Sequence, residues 1–115
     1  MTITYNDGYE TYELSFKITT YDEPRNLAIL AMGKNSEGFI EPYGAITVNI
    51  VELPKETYAC VDINNFPEAI ELIEKYKLGY NTSISIPSGY CTYPIYEFDL
   101  KELEKYKYNE YNEED

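Results

Sequence analysis

The chain contains no histidine and no tryptophan, and its only cysteines are Cys60 and Cys91. Without histidine there is no Ser-His-Asp triad, no Cys-His pair and no imidazole ligand for zinc. Two thiols cannot complete a four-thiolate zinc site. Neither has a lysine beside it in sequence to lower its pKa, so covalent cysteine chemistry has no support. Basic residues are also scarce: 9 Lys and Arg stand against 21 Asp and Glu, a formal net charge of -12. Such a chain repels a nucleic-acid backbone and an anionic membrane surface. Lys75 and Lys77, and Lys101, Lys105 and Lys107, are interleaved with Glu and Tyr and form no continuous basic track. No apolar run approaches the length of a membrane-spanning helix. The first residues lack the basic start and apolar stretch of a secretory signal. No glycine-rich phosphate-binding fingerprint occurs. The expectation is a cytoplasmic, non-enzymatic protein with reduced thiols, no cofactor, no metal site, no catalytic residues, and no direct contact with nucleic acid or membrane.

What is present is a core and many tyrosines. Hydrophobic residues make up 43% of the 115, enough for one small domain, and 14 tyrosines carry most of the aromatic content. Ile3 and Tyr5 suggest an edge strand, followed by an Asp7-Gly8 turn. Tyr12, Leu14, Phe16 and Ile18 recur at period two against Glu13, Ser15, Lys17 and Thr19, which predicts a half-buried antiparallel strand over 10–19. Leu27 to Met32 is a short apolar run read as a buried strand. Gly33 to Gly38 reads as a loop, and Pro42-Tyr43-Gly44 as a bend. Residues 45–51 and 57–63 are β-rich, with Ile46, Val48 and Ile50 expected to face the core. Asn65 followed by Glu68 has capping-box spacing, with Pro67 suited to a first turn, so a helix is expected over 66–77, ended by Gly79. Residues 81–86 and 91–98 suggest two more strands, with Pro94 marking an edge, a bulge or an irregular strand. Asp99 is placed to cap a last helix starting at Leu100. The expected architecture is α+β: a mostly antiparallel sheet with the 66–77 helix packed on it and a C-terminal helix beside it. Residues 1–108 form one domain in this reading, and 109–115 a frayed acidic tail.

Four segments carry a resemblance. They are Tyr43-Gly44-Ala45-Ile46-Thr47-Val48-Asn49-Ile50, Ala59-Cys60-Val61-Asp62-Ile63-Asn64-Asn65, Lys77-Leu78-Gly79 and Ser88-Gly89-Tyr90-Cys91-Thr92-Tyr93-Pro94. In this order the chain resembles a family of small, acidic, uncharacterised proteins found in bacterial plasmids, conjugative elements and gut Firmicutes. That family is a domain of unknown function, so the resemblance implies no activity and no catalytic roles. Its mobile-element setting implies host-defence or regulatory interactions. The N-terminal strands and the acidic tail match less clearly.

Three groups are candidate sites. Glu68, Glu71 and Glu74 recur every third residue and form an oblique acidic stripe on the expected helix. Glu102 continues it in a stretch from residue 97 onward that holds eight acids and three bases. Such an array suits electrostatic docking to a basic protein of a host or mobile element, including mimicry of phosphate spacing in a DNA-binding groove. Tyr90 and Tyr93, around Gly89 and Pro94, offer large contact areas with polar tips and complete the candidate partner-binding set. Asp62 and Asn64 are oxygen donors for a small ligand or divalent cation, although the segment lacks a calcium-loop pattern. A self-assembling structural subunit is the other alternative, and homo-oligomerisation stays open.

Overall fold

The structure, a computed structural model, describes residues 1–109. The first four strands are β1 (Ile3–Asn6), β2 (Thr11–Thr20), β3 (Leu27–Lys34) and β4 (Ile40–Ala45). They form an antiparallel sheet in the order β1-β2-β3-β4. The Asp7-Gly8 turn closes the first hairpin: Asp7 Oδ1 accepts the N–H groups of Tyr9 (2.9 Å) and Glu10 (3.0 Å), and Gly8 takes a φ of 99°. The second sheet holds β5 (Thr47–Val48), β6 (Tyr58–Val61), β7 (Gly79–Ser88) and β8 (Cys91–Phe98) in the antiparallel order β5-β6-β8-β7. Two short helices, α1 (Ala69–Lys75) and α2 (Leu100–Glu104), complete the fold. Neither is long or apolar enough to cross a membrane.

Period two decides what is buried. Leu14 and Phe16 of β2 and Leu27, Ile29 and Ala31 of β3 join Ala59 and Val61 of β6 and Tyr96 and Phe98 of β8 in one apolar cluster. Each such large side chain withdrawn from water contributes roughly 1.5–3 kcal/mol. The opposite parity of β6 and β8 sends Cys60, Tyr93 and Ile95 into a second cluster, with Val48, Ile50, Leu53 and Tyr58 packed against it. Both faces of the β6–β8 pair are therefore covered.

The expected α+β layering is not what the chain builds. Strands take 49% of the structure and helix 11%, so the fold is mostly β, with two antiparallel sheets and no helix layer on a sheet. The physical reasons are local. Asp62, 5% exposed, captures the Asn65 N–H (3.2 Å) and Asn65 Nδ2 (3.0 Å), while the Asp62 carbonyl accepts the Phe66 N–H at 2.9 Å. The chain therefore turns through 62–68 and the helix starts only at Ala69, with Glu68 as an N-cap that makes no side-chain bond. The expected Asn65–Glu68 capping box does not form. At the other end Lys77 adopts a φ of 56°, its N–H reaching the Glu74 carbonyl at 3.3 Å and Leu78 N–H the Ile73 carbonyl at 2.9 Å. This paired Schellman termination uses lysine where glycine is usual. Gly79 serves the sheet instead: a Cβ there would lie 2.8 Å from the Glu97 carbonyl oxygen.

Other expectations shift in register. Pro42-Tyr43-Gly44 lies within β4 and is not a bend between elements. β7 is ten residues long, because Ser83 (φ 70°) absorbs an irregularity between Asn81 and Ser85. Pro94 sits in β8, an internal strand of its sheet. Phe98 N–H bonds Thr57 on the β6 side, so even-numbered residues of β8 face β6. That ladder ends at Cys60–Ile95, and the proline's missing donor falls just beyond it. The α2 cap forms as expected: Asp99 accepts the N–H groups of Lys101 (3.1 Å) and Glu102 (3.2 Å). Leu100 nevertheless points outward, whereas Leu103 is buried. Past α2, the Tyr106 carbonyl accepts Phe16 N–H and Tyr108 N–H donates to the Phe16 carbonyl, both at 2.8 Å, sealing part of the free edge of β2. The expected acidic tail falls almost wholly outside the described residues.

A polar knot ties the loops together. Asn26, 5% exposed, donates to Asn49 Oδ1 (2.9 Å) and the Val51 carbonyl (2.7 Å) and accepts Leu53 N–H (3.1 Å). Replacing Asn26 with Ala leaves these groups without a partner in a desolvated place. Urea denaturation is expected to show a loss of about 2–3 kcal/mol, against a change within about 0.5 kcal/mol for the exposed Asn64→Ala.

Candidate functional site

The inner row of β2 runs from Phe16 through Leu14 to Tyr12 and so emerges from the core at a tyrosine. Hairpin register sets Tyr5 of β1 opposite Tyr12, and β4 brings Tyr43 over both. The Tyr43 ring centroid lies 4.9 Å from that of Tyr12, 5.8 Å from Tyr5 and 5.7 Å from Phe66, in tilted or edge-on arrangements. Gly33 of β3 makes room: a Cβ there would approach both Tyr12 Cδ1 and Tyr43 Cβ to 3.3 Å. The three tyrosines are half-buried against the main cluster.

Carboxylates lie near enough to act on these tyrosines. Tyr43 donates to Asp7 Oδ2 at 3.3 Å. Burial first, and then the negative charges of Glu68, Asp7 and Glu71, hold Tyr5 above its ordinary pKa. Burial followed by Glu10, Asp7 and Glu41 does the same at Tyr12. Tyr43 is pushed up strongly by burial and then by Asp7. Asp7 itself is lowered, chiefly by the N–H groups of Glu10 and Tyr9. The result is an aromatic cluster bordered by Asp7, Glu10, Glu41, Glu68 and Glu71, contributed by two hairpins and the start of α1. Among the described residues the ion pairs are Lys55–Glu97 and Lys105–Glu102, neither of which involves these acids.

The residues singled out in the sequence are dispersed. Glu68 and Glu71 are exposed and border the tyrosine cluster. Glu74 is engaged elsewhere: its Oε2 accepts the Tyr96 hydroxyl at 2.7 Å, and burial together with this contact raises Tyr96 to about 12. Tyr90 stands fully exposed on the β7–β8 turn, where Gly89 has a φ of 62°. Tyr93 is buried in the second cluster. Glu102 pairs with Lys105 at 3.1 Å on α2. Asp62 is buried and holds Asn65, while Asn64 is exposed. Cys60 and Cys91 are unbridged, and burial raises the Cys60 thiol. Among the described residues no three His, Cys, Asp or Glu side chains gather as a metal site. The acids Asp7, Glu10 and Glu41, and the grouping of Tyr5 and Tyr12 with Tyr43, were not anticipated. The Asp7-Gly8 turn signal contained the Tyr5–Tyr12 pairing, but nothing local places Tyr43 or α1 beside it.

The family model for a domain of unknown function, DUF4313, matches residues 15–114, and the chain belongs to that family. No curated protein and no solved structure matches it.

Raised tyrosine pKa values favour the neutral, folded form. Their contribution to stability is complete below the unfolded value near 10 and is lost as pH rises through the higher folded values. Absorbance titration is expected to show a group of tyrosines ionising later in the folded than in the urea-unfolded chain, with stability falling above about pH 10. Tyr96→Phe should remove one of the late-titrating tyrosines. Superimposable titrations of folded and unfolded protein would contradict the burial described.

Proposed function

We propose that this DUF4313 chain is a non-enzymatic cytoplasmic recognition module that docks onto a basic site of another protein, in the setting of a mobile genetic element. The single observation behind this reading is the tyrosine cluster bordered by Asp7, Glu10, Glu41, Glu68 and Glu71, whose acids have no ion-pair partner among the described residues. Unpaired carboxylates steer a cationic partner over distances up to the screening length of about 8 Å at physiological ionic strength. At contact, an arginine has two ways to bind: a fork on a carboxylate and a face on a tyrosine ring. Half-buried rings are already held in place, so little side-chain entropy is lost on docking. The mechanism is competitive occlusion: a nucleic-acid-binding groove on the partner, filled by these acids, is closed to phosphates.

An arginine-rich peptide is the direct probe. Its affinity is expected to fall steeply from low to physiological salt and to drop about tenfold or more in the Glu68→Lys/Glu71→Lys variant. Glu52→Lys, an exposed reversal away from the cluster, should have a much smaller effect. Equal losses in the two variants, or none, would refute this face as the docking surface.

A further inference from the structure

We infer that the tips of the β1–β2 and β3–β4 hairpins form an apolar anchor within the docking surface, and that the partner they fit is an amphipathic basic segment, with one large apolar side chain carried among its cations. This rests on the docking reading above and supplies the apolar half of the partner. Of the four phenylalanines, Phe16, Phe66 and Phe98 are 5% exposed or less, whereas Phe39 is 65% exposed. Tyr9, on the β1–β2 turn, is 97% exposed. Aromatic rings presented to water on ordered backbone are the residue type that anchors interfaces.

Both residues stand on fixed backbone. Asn35 N–H donates to the Phe39 carbonyl at 2.9 Å, so the pairing of β3 with β4 runs one residue past Lys34–Ile40. Asn35 Oδ1 accepts the N–H groups of Glu37 and Phe39, each at 3.0 Å. Tyr9 N–H is held by Asp7 Oδ1 at 2.9 Å. The two tips are also tied to each other: Glu10 Oε2 accepts the Ser36 N–H at 3.1 Å and the Ser36 hydroxyl at 3.0 Å. Phe39 precedes Glu41 by two residues, one strand period, and the charge of Glu41 acts on Tyr12. The anchor therefore adjoins the tyrosine–acid face.

Charge selects the occupant. Residues 6–11 and 34–41 hold Asp7, Glu10, Glu37 and Glu41 against Lys34 alone. Among the described residues none of these four acids has a cation within 4.0 Å. A second copy of the chain would bring the same acids and a net charge of -12 against them. A neutral apolar partner would desolvate the carboxylates and leave them unpaired. A basic segment with one large apolar residue meets both demands: its cations answer the acids, and its apolar side chain covers Phe39 and Tyr9.

The test titrates the full chain with two labelled peptides of equal charge, followed by fluorescence anisotropy. One alternates arginine and glycine; the other has its central glycine replaced by leucine. The leucine peptide is expected to bind about tenfold more tightly. Phe39→Ser, at an exposed position, should abolish that gain and leave the arginine–glycine peptide within about twofold of its original affinity. Ile84→Ser, exposed on β7 of the other sheet, should leave the gain intact. Equal affinity of the two peptides, a gain that survives Phe39→Ser, or an equal loss in Ile84→Ser would overturn the anchor. In each of those cases salt-sensitive binding of the arginine–glycine peptide keeps the docking reading standing, whereas binding of neither peptide removes both. Self-association in sedimentation that Phe39→Ser abolishes would assign the ring to a second copy and also overturn the inference.

Discussion

One residue holds the two sheets in register. At Ile46 the chain leaves β4 and enters β5, and this residue, 2% exposed, bonds in both directions. Its N–H donates to the Ile29 carbonyl of the first sheet at 2.9 Å, and its carbonyl accepts Asp62 N–H at the end of the second sheet, also at 2.9 Å. Thr47, equally buried, adds a hydroxyl that accepts Ile29 N–H at 3.0 Å and meets the Tyr21 hydroxyl at 2.9 Å. Buried backbone groups left unpaired at a sheet corner are costly. Here they are spent on joining the sheets, so the corner has little freedom to slide. Asp62 is drawn in by the same bond, and its side chain then directs the turn that leads to α1.

The Asn26 knot acts on the neighbouring segment. Asn49 Nδ2 bonds the carbonyls of Glu23 (3.3 Å) and Pro24 (3.0 Å), and Asn26 holds Val51 and Leu53. The 49–53 segment thereby lies over the second apolar cluster, where Ile50 and Leu53 pack beside Cys60, Tyr93 and Ile95. A sheet whose two faces are both apolar needs such a cover, and no second helix supplies it. The polar loop bonds and the apolar packing are thus parts of one arrangement: the bonds place the side chains that exclude water.

Strands were legible wherever alternation ran long enough to outvote local signals. Tyr12, Leu14, Phe16 and Ile18 named β2, now Thr11–Thr20, and the Asp99 cap named the start of α2. The failures share a cause. Asn65 and Gly79 each have a local meaning as helix punctuation, and each was taken up by another contact that the punctuation does not encode. Asp62, itself bonded to Ile46, took Asn65, and Glu97 of β8 took the space that required Gly79. With the helix cut at both ends, no layer remained to make the fold α+β. The same limit governs the site. Glu68 and Glu71 were visible as acids, but their juxtaposition with Asp7 and Tyr5 depends on how the first hairpin meets the approach to α1, which no spacing encodes.

The scarcity of cations explains why tyrosine is so abundant where the acids lie. A carboxylate near a protein core needs donors, and lysine or arginine would provide them at the cost of cancelling its charge. Here neutral hydroxyls do so at key points, Tyr43 to Asp7 at 3.3 Å and Tyr96 to Glu74 at 2.7 Å. A hydroxyl donor stabilises the ion without neutralising it, so the outward field survives. The net charge of -12 is therefore not quenched where these acids meet the core. The tyrosine-lined face is where carboxylates keep their charge beside the core.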